Sequence, residues 1–110
     1  MNAMVSDPLD WTDVGAVTDV PLRGARRVPG PDGDIAIFRT GDAVYATDNL
    51  CTHGHARLCD GFVEGHEIEC PLHQGRFDLR SGQPTCPPAI EALTTYPVRI
   101  DGGRVYLSLG

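Results

Sequence analysis

Two short clusters, Cys51-Thr52-His53 and Cys70-Pro71-Leu72-His73, each supply one thiol and one imidazole, with sixteen residues between His53 and Cys70. Nothing else in the 110-residue chain restricts its folding as strongly. Side chains of these two kinds, brought together, make a metal site, and two loops must close on it from opposite sides. The spacer itself is patterned for this. Phe62-Val63-Glu64 and Glu67-Ile68-Glu69 read as short strands, and Gly65-His66 falls where a tight turn would join them. Arg76-Phe77-Asp78 reads as a further strand leaving the second cluster.

Thiolate and imidazole suit zinc or iron and disfavour the oxygen-seeking calcium and magnesium. Two cysteines with two histidines can form a tetrahedral structural zinc site, so zinc is the competitor. Its fingers usually pair two cysteines and then two histidines. Here each loop mixes the types, as a two-iron centre requires when one iron takes both thiolates and the other both histidines. Charge favours the mixture too. Two thiolates neutralise an oxidised core of two ferric ions and two sulfides, whereas four would leave it doubly negative. A neutral site accepts an electron more readily, and reduction then adds one negative charge.

The rest of the chain reads as a β framework. It has 13 Gly and 9 Pro and no long helical period. Trp11 to Val14 and Arg26 to Val28 are strand candidates, and Pro29 to Gly33 is a turn cluster that no helix could cross. Asp34 to Arg39 and Ala43 to Ala46 form a hairpin around Gly41-Asp42. Thr95 to Ile100 and Arg104 to Leu109 form another around Asp101-Gly102-Gly103. The length predicts one domain over residues 1–110. Within it, a ligand-bearing insert at about 49–88 sits in a framework of 10–48 and 89–110.

Fifteen acidic residues against nine arginines and no lysine give a net charge of −6. Such a chain has no electrostatic footprint for nucleic acid or anionic lipid, and its charge suits steering towards a basic protein patch. Met1 to Asp10 lacks a secretory pattern and no run approaches a membrane span, which predicts a cytoplasmic protein. In that reducing compartment four cysteines point to metal or redox chemistry before disulfides. There is no nucleophile–base pair, phosphate-binding glycine loop or paired carboxylate site, so the expectation is a carrier and not an enzyme. Size and charge favour a monomer.

The runs Cys51-Thr52-His53-Gly54-His55-Ala56 and Cys70-Pro71-Leu72-His73-Gln74-Gly75-Arg76-Phe77-Asp78 carry a resemblance. The chain, from about Trp11 to its end, resembles the Rieske ferredoxins of aromatic-ring-hydroxylating dioxygenases, the naphthalene and salicylate types nearest. The resemblance implies an all-β Rieske domain, an antiparallel sandwich or barrel framework with a smaller cluster-binding subdomain. It implies one Rieske-type 2Fe–2S cluster, with Cys51 and Cys70 on the buried iron and His53 and His73 on the outer iron. The implied role is a low-potential one-electron carrier in aromatic hydrocarbon catabolism. Its partners would be a flavoprotein ferredoxin reductase using NAD(P)H and a terminal Rieske oxygenase.

The Rieske proteins of respiratory cytochrome bc complexes brace their cluster with a disulfide. Here the matching positions are Ala56 and Leu72. Gly75 and Phe77 stand where those proteins carry hydroxyl donors, so negative charge on the sulfurs is less stabilised. The expected potential therefore lies at the low end of the Rieske range, about −150 mV. Cys59 and Cys86 read as packed, reduced thiols, His55 as a loop-surface residue, and His66 as a solvated turn residue. Arg57, Arg76 and Arg80 read as ion pairs within the loops or as docking residues. Pro87-Pro88 resembles the rigid loop that packs beside the cluster in this family, and Trp11 reads as a framework residue.

Overall fold

The structure, a computed structural model, describes residues 11–109 apart from 32, 42, 53–55, 72–74, 88 and 90. His53, His73, His55, Leu72 and Pro88, and Asp42 of the first expected hairpin turn, therefore lie outside the described residues, as do residues 1–10. Three sheets account for the described strands. β1 (Trp11–Ala16), β10 (Val98–Asp101) and β11 (Arg104–Ser108) form one, in the order β1-β11-β10. β2 (Ala25–Val28), β3 (Ile35–Thr40), β4 (Ala43–Asp48) and β9 (Thr95–Tyr96) form the second in that order. β5 (Phe62–Glu64), β6 (Glu67–Glu69), β7 (Arg76–Asp78) and β8 (Pro84–Cys86) form the third. The pairings within these sheets are antiparallel.

β3 holds the molecule together because its sequence is apolar on both faces. Ile35, Ala36, Ile37 and Phe38 are all at most 1% exposed. Alternation along a strand sends Ile35 and Ile37 one way and Ala36 and Phe38 the other. The isoleucines enter a core with Val28, Val44 and Ala46 from their own sheet and Val105 and Leu107 from β11, joining the two framework sheets face to face. Ala36 and Phe38 enter a second core with Leu58, Ile68, Phe77 and Leu79, which ties the framework to the third sheet. One strand thus serves two cores.

The expected hairpins form with their partners in register. Asp101 faces Arg104 across Gly102 and Gly103, whose φ values of +59° and +77° suit the two-residue turn that matches strand twist. Gly65 takes φ +60° between β5 and β6. One expectation is corrected. The single strand read over Thr95 to Ile100 is two strands in different sheets, β9 beside β4 and β10 beside β11. Pro97 lies at the break: lacking an N–H it cannot extend a ladder as donor, and its carbonyl instead accepts from Ser108 N–H at 3.1 Å. β8 and the 3-10 turn Leu58–Asp60 were not visible in the sequence pattern, both being single turns or strands of three residues.

Candidate metal centre

The two cysteines of the clusters, Cys51 and Cys70, are 2% and 0% exposed and lie in the same core, among Phe38, Leu58, Ile68 and Phe77. Each stands at the neck of a loop closed in the same way. Cys51 N–H donates to Ala56 C=O at 3.0 Å, and Cys70 N–H donates to Gly75 C=O at 2.7 Å. The two necks therefore enclose loops of equal length, each with a buried thiol at its entrance. His53 and His73 fall within these loops in sequence, outside the described residues.

Different elements deliver each thiol. Cys51 follows β4 through Asn49, which is 3% exposed and bonded through its N–H, its carbonyl and its side-chain oxygen. Its N–H donates to Asp34 C=O at 3.0 Å, its carbonyl accepts from Leu58 N–H at 2.6 Å, and its Oδ1 accepts from Cys59 N–H at 2.9 Å. A buried side-chain amide used this way fixes where the first loop leaves the framework and where it returns. Cys70 follows β6, and Gly75 leads into β7, so the second loop is the tip of a strand pair whose register runs Glu69 to Arg76.

Gly61 brings the two arms together. A Cβ there would stand 2.2 Å from Glu69 C=O, a separation no real side chain tolerates, so the backbone leaving the first loop passes directly over the strand that carries Cys70. A third anchor is Thr52, whose hydroxyl donates to Glu91 C=O at 2.8 Å. Sequence reading missed Asn49, Thr52 and Gly61 as site residues. Only their positions beside the ligand clusters signalled them, since what they bond comes from distant chain.

The charged residues around the loops pair with one another. Arg76 donates to Glu64, Glu67 and Glu69, at 3.0, 3.4 and 2.9 Å, and these bonds raise its already high pKa. Arg80 chelates Asp78, whose pKa falls to about 2, chiefly through the guanidinium hydrogen bonds. Arg57 pairs with Asp60 at 3.1 Å. Of the two readings of these arginines, ion pairing within the loops is therefore the one observed. His66 is exposed at its turn, edge-on to Tyr45. No disulfide joins any of the four cysteines, all described; Cys59 packs partly buried against the core and Cys86 is half-buried.

This donor set fits a cluster. Thiolate sulfur is a ligand that iron–sulfur centres take, and both thiols stand in one buried core away from solvent. The Rieske 2Fe-2S domain family matches residues 10–97. The chain belongs to the Rieske family. The ferredoxin component of the naphthalene 1,2-dioxygenase system of Pseudomonas aeruginosa is 48% identical over 99 residues, covering 90% of this chain and 95% of that one. Among solved structures, the ferredoxin of carbazole 1,9a-dioxygenase from Nocardioides aromaticivorans superposes with a TM-score of 0.86 at 33% identity, over 91% of this chain and 98% of that one. A ferredoxin solved in complex with the oxygenase of carbazole 1,9a-dioxygenase matches with a TM-score of 0.83 at 37% identity, over 89% and 92%.

Membership in the family decides the metal. The group is a Rieske-type 2Fe–2S cluster and not a structural zinc ion. The all-β Rieske fold stands as expected, and the chain is a ferredoxin, an electron carrier and not an enzyme. Among the described residues no helix is long and apolar enough to cross a membrane.

Proposed function

We propose that Cys51, His53, Cys70 and His73 hold the cluster, and that the chain passes electrons singly from a flavoprotein ferredoxin reductase to the Rieske centre of a terminal aromatic-ring-hydroxylating oxygenase. The observation that carries the ligand assignment is the matched pair of necks: two buried thiols, each opening an identically closed loop that contains one of the two histidines. The cluster supplies a site that takes up and returns one electron at a modest potential. The protein's part is to hold the ligands still and keep water from the thiolate side. Asn49, Gly61 and the apolar core around Cys51 and Cys70 do both.

The oxygenase partner rests on the complex formed by the 37% identical ferredoxin and on the dioxygenase systems to which the relatives belong. The reductase follows from the chemistry, since a one-electron carrier needs a donor that splits the hydride pair of NAD(P)H, as flavins do. We read residues 1–110 as one domain, with a cluster-binding subdomain over about 49–88, acting as a cytoplasmic monomer without nucleic-acid or membrane partners. The third sheet, whose strands β5 to β8 all fall within that segment and pair with one another, supports that division.

Metal analysis and electron paramagnetic resonance of the dithionite-reduced protein test the ligands together. Two irons, no zinc, and the low average g value of a histidine-ligated cluster are expected. In His73→Cys a thiolate replaces a neutral imidazole, so the signal should move to that of an all-cysteine cluster or vanish. An unchanged signal in that variant would remove His73 from the ligand set. Stopped-flow mixing of the reduced protein with an oxidised aromatic-ring oxygenase should reoxidise it; no reaction would sink the partner assignment.

A further inference from the structure

Thr52 lies between two assigned ligands, Cys51 and His53, and its hydroxyl donates to the backbone carbonyl of Glu91 at 2.8 Å. That contact spans 39 positions of sequence. The stretch it reaches is itself anchored at both ends. Ala89 and Leu93 are 5% and 4% exposed, in the same core as Cys51 and Cys70. Leu93 N–H donates to Gly82 C=O at 2.8 Å, in the turn between β7 and β8. Asp48 N–H, at the end of β4, donates to Thr94 C=O at 3.0 Å. At Gly82 the backbones are so close that a Cβ would sit 2.3 Å from Leu93 C=O.

These bonds form a closed circuit. From Thr52 it runs to Glu91, along to Leu93, across to Gly82, and up β7 to Gly75, the exit of the second ligand loop. The Cys51 and Cys70 necks fix each loop internally, and Gly61 brings the arms together at their base. The Thr52 hydroxyl joins the first loop, one residue beyond its neck, to the stretch that the Leu93–Gly82 bond ties to the arm carrying the second.

We infer that Thr52 is a positioning residue: its hydroxyl sets the spacing of the two ligand loops by tying the first to the 89–93 segment. This rests on the reading that both loops bind one cluster. A carrier benefits from such a tie because ligands that keep their places in both charge states need little rearrangement per electron. An isosteric apolar side chain would pack there without making the bond.

The test compares Thr52→Val, which keeps the shape and loses the donor, with Thr52→Ser, which keeps the donor, in the full-length protein carrying its cluster. Two readouts are followed: iron release to a strong chelator, by loss of visible absorbance, and the resonance lines of the reduced cluster. Losing one hydrogen bond should make loop opening, and so iron release, about fivefold faster in Thr52→Val. Its resonance lines should broaden as the loops sample several spacings. Thr52→Ser should match the natural protein in both, and a Thr52→Val protein that retains no cluster while Thr52→Ser retains it also supports the role. Thr52→Val indistinguishable from the natural protein, or Thr52→Ser as impaired as Thr52→Val, overturns it. A natural protein lacking two irons and a Rieske signal would instead overturn the cluster reading beneath it.

Discussion

At the scale of single residues, the site is defined as much by what is missing as by what is present. Gly75 accepts the Cys70 neck bond through its backbone carbonyl and, having no side chain, offers no hydroxyl donor to the cluster. Phe77 is fully buried and faces the core. Without hydroxyl donors the charge added on reduction is poorly compensated, and a midpoint potential of about −150 mV is expected. Protein-film voltammetry giving a value above zero would contradict it. Asp78 offers a separate check by pH. Arg80 holds its pKa down to about 2 from 3.8, so the pair stabilises the fold above the ordinary carboxylate range. That contribution is lost as pH falls from about 4 through about 2. Because Arg80 is 58% exposed, the pair contributes only about 0.5–1 kcal/mol. Asp78→Asn should lower stability by that amount across about pH 5 to 8, where the carboxylate is ionised whether the chain is folded or not, in urea titrations of the holoprotein. A difference that changes with pH within that range would assign the effect to another group.

At the scale of elements, β6 and the segment leaving the first loop are pressed together because Gly61 has no side chain. Gly61→Ala should push Glu69, and with it the Cys70 neck, outward. A cost of about 1–3 kcal/mol is expected, the range for forcing extra volume into a packed site. Urea unfolding measures the loss, and iron content per chain should drop with it. A fully loaded Gly61→Ala protein of unchanged stability would show that the backbone can yield there. The hairpins are legible in the sequence, since Gly-Gly and Gly-Asp turns between β-branched runs are local signals. The split at Pro97 was not. A strand's pattern tells that it is extended, not which neighbour it pairs with, and β9 and β10 share one extended run but belong to different sheets. β8 escaped for a related reason: three residues, two of them Pro84 and Cys86, carry no period to read.

Across the whole molecule the net charge of −6 should govern encounters with partners. If a partner presents a basic patch, association slows as salt screens the attraction. The second-order rate of oxygenase reduction should therefore fall steadily as ionic strength rises from about 10 to 150 mM, where the screening length shrinks from about 30 to 8 Å. A flat profile would leave docking to apolar contact, for which Leu50 and Phe62 are exposed, at 55% and 64%. By itself the sequence determined the grouping of one cysteine and one histidine in each of two short clusters, and the β character of the chain. These are local properties, set by side-chain chemistry and short-range turn preferences. Only the tertiary structure decided that both thiols share one core with the inner face of β3. It alone brought Asn49, Gly61 and Thr52 into use as supports. Their partners are Cys59, the Glu69 carbonyl and the Glu91 carbonyl, met only once the chain has folded back on itself. A buried amide, an absent Cβ and a lone hydroxyl have no pattern along the chain; they acquire a role from what stands opposite them in space.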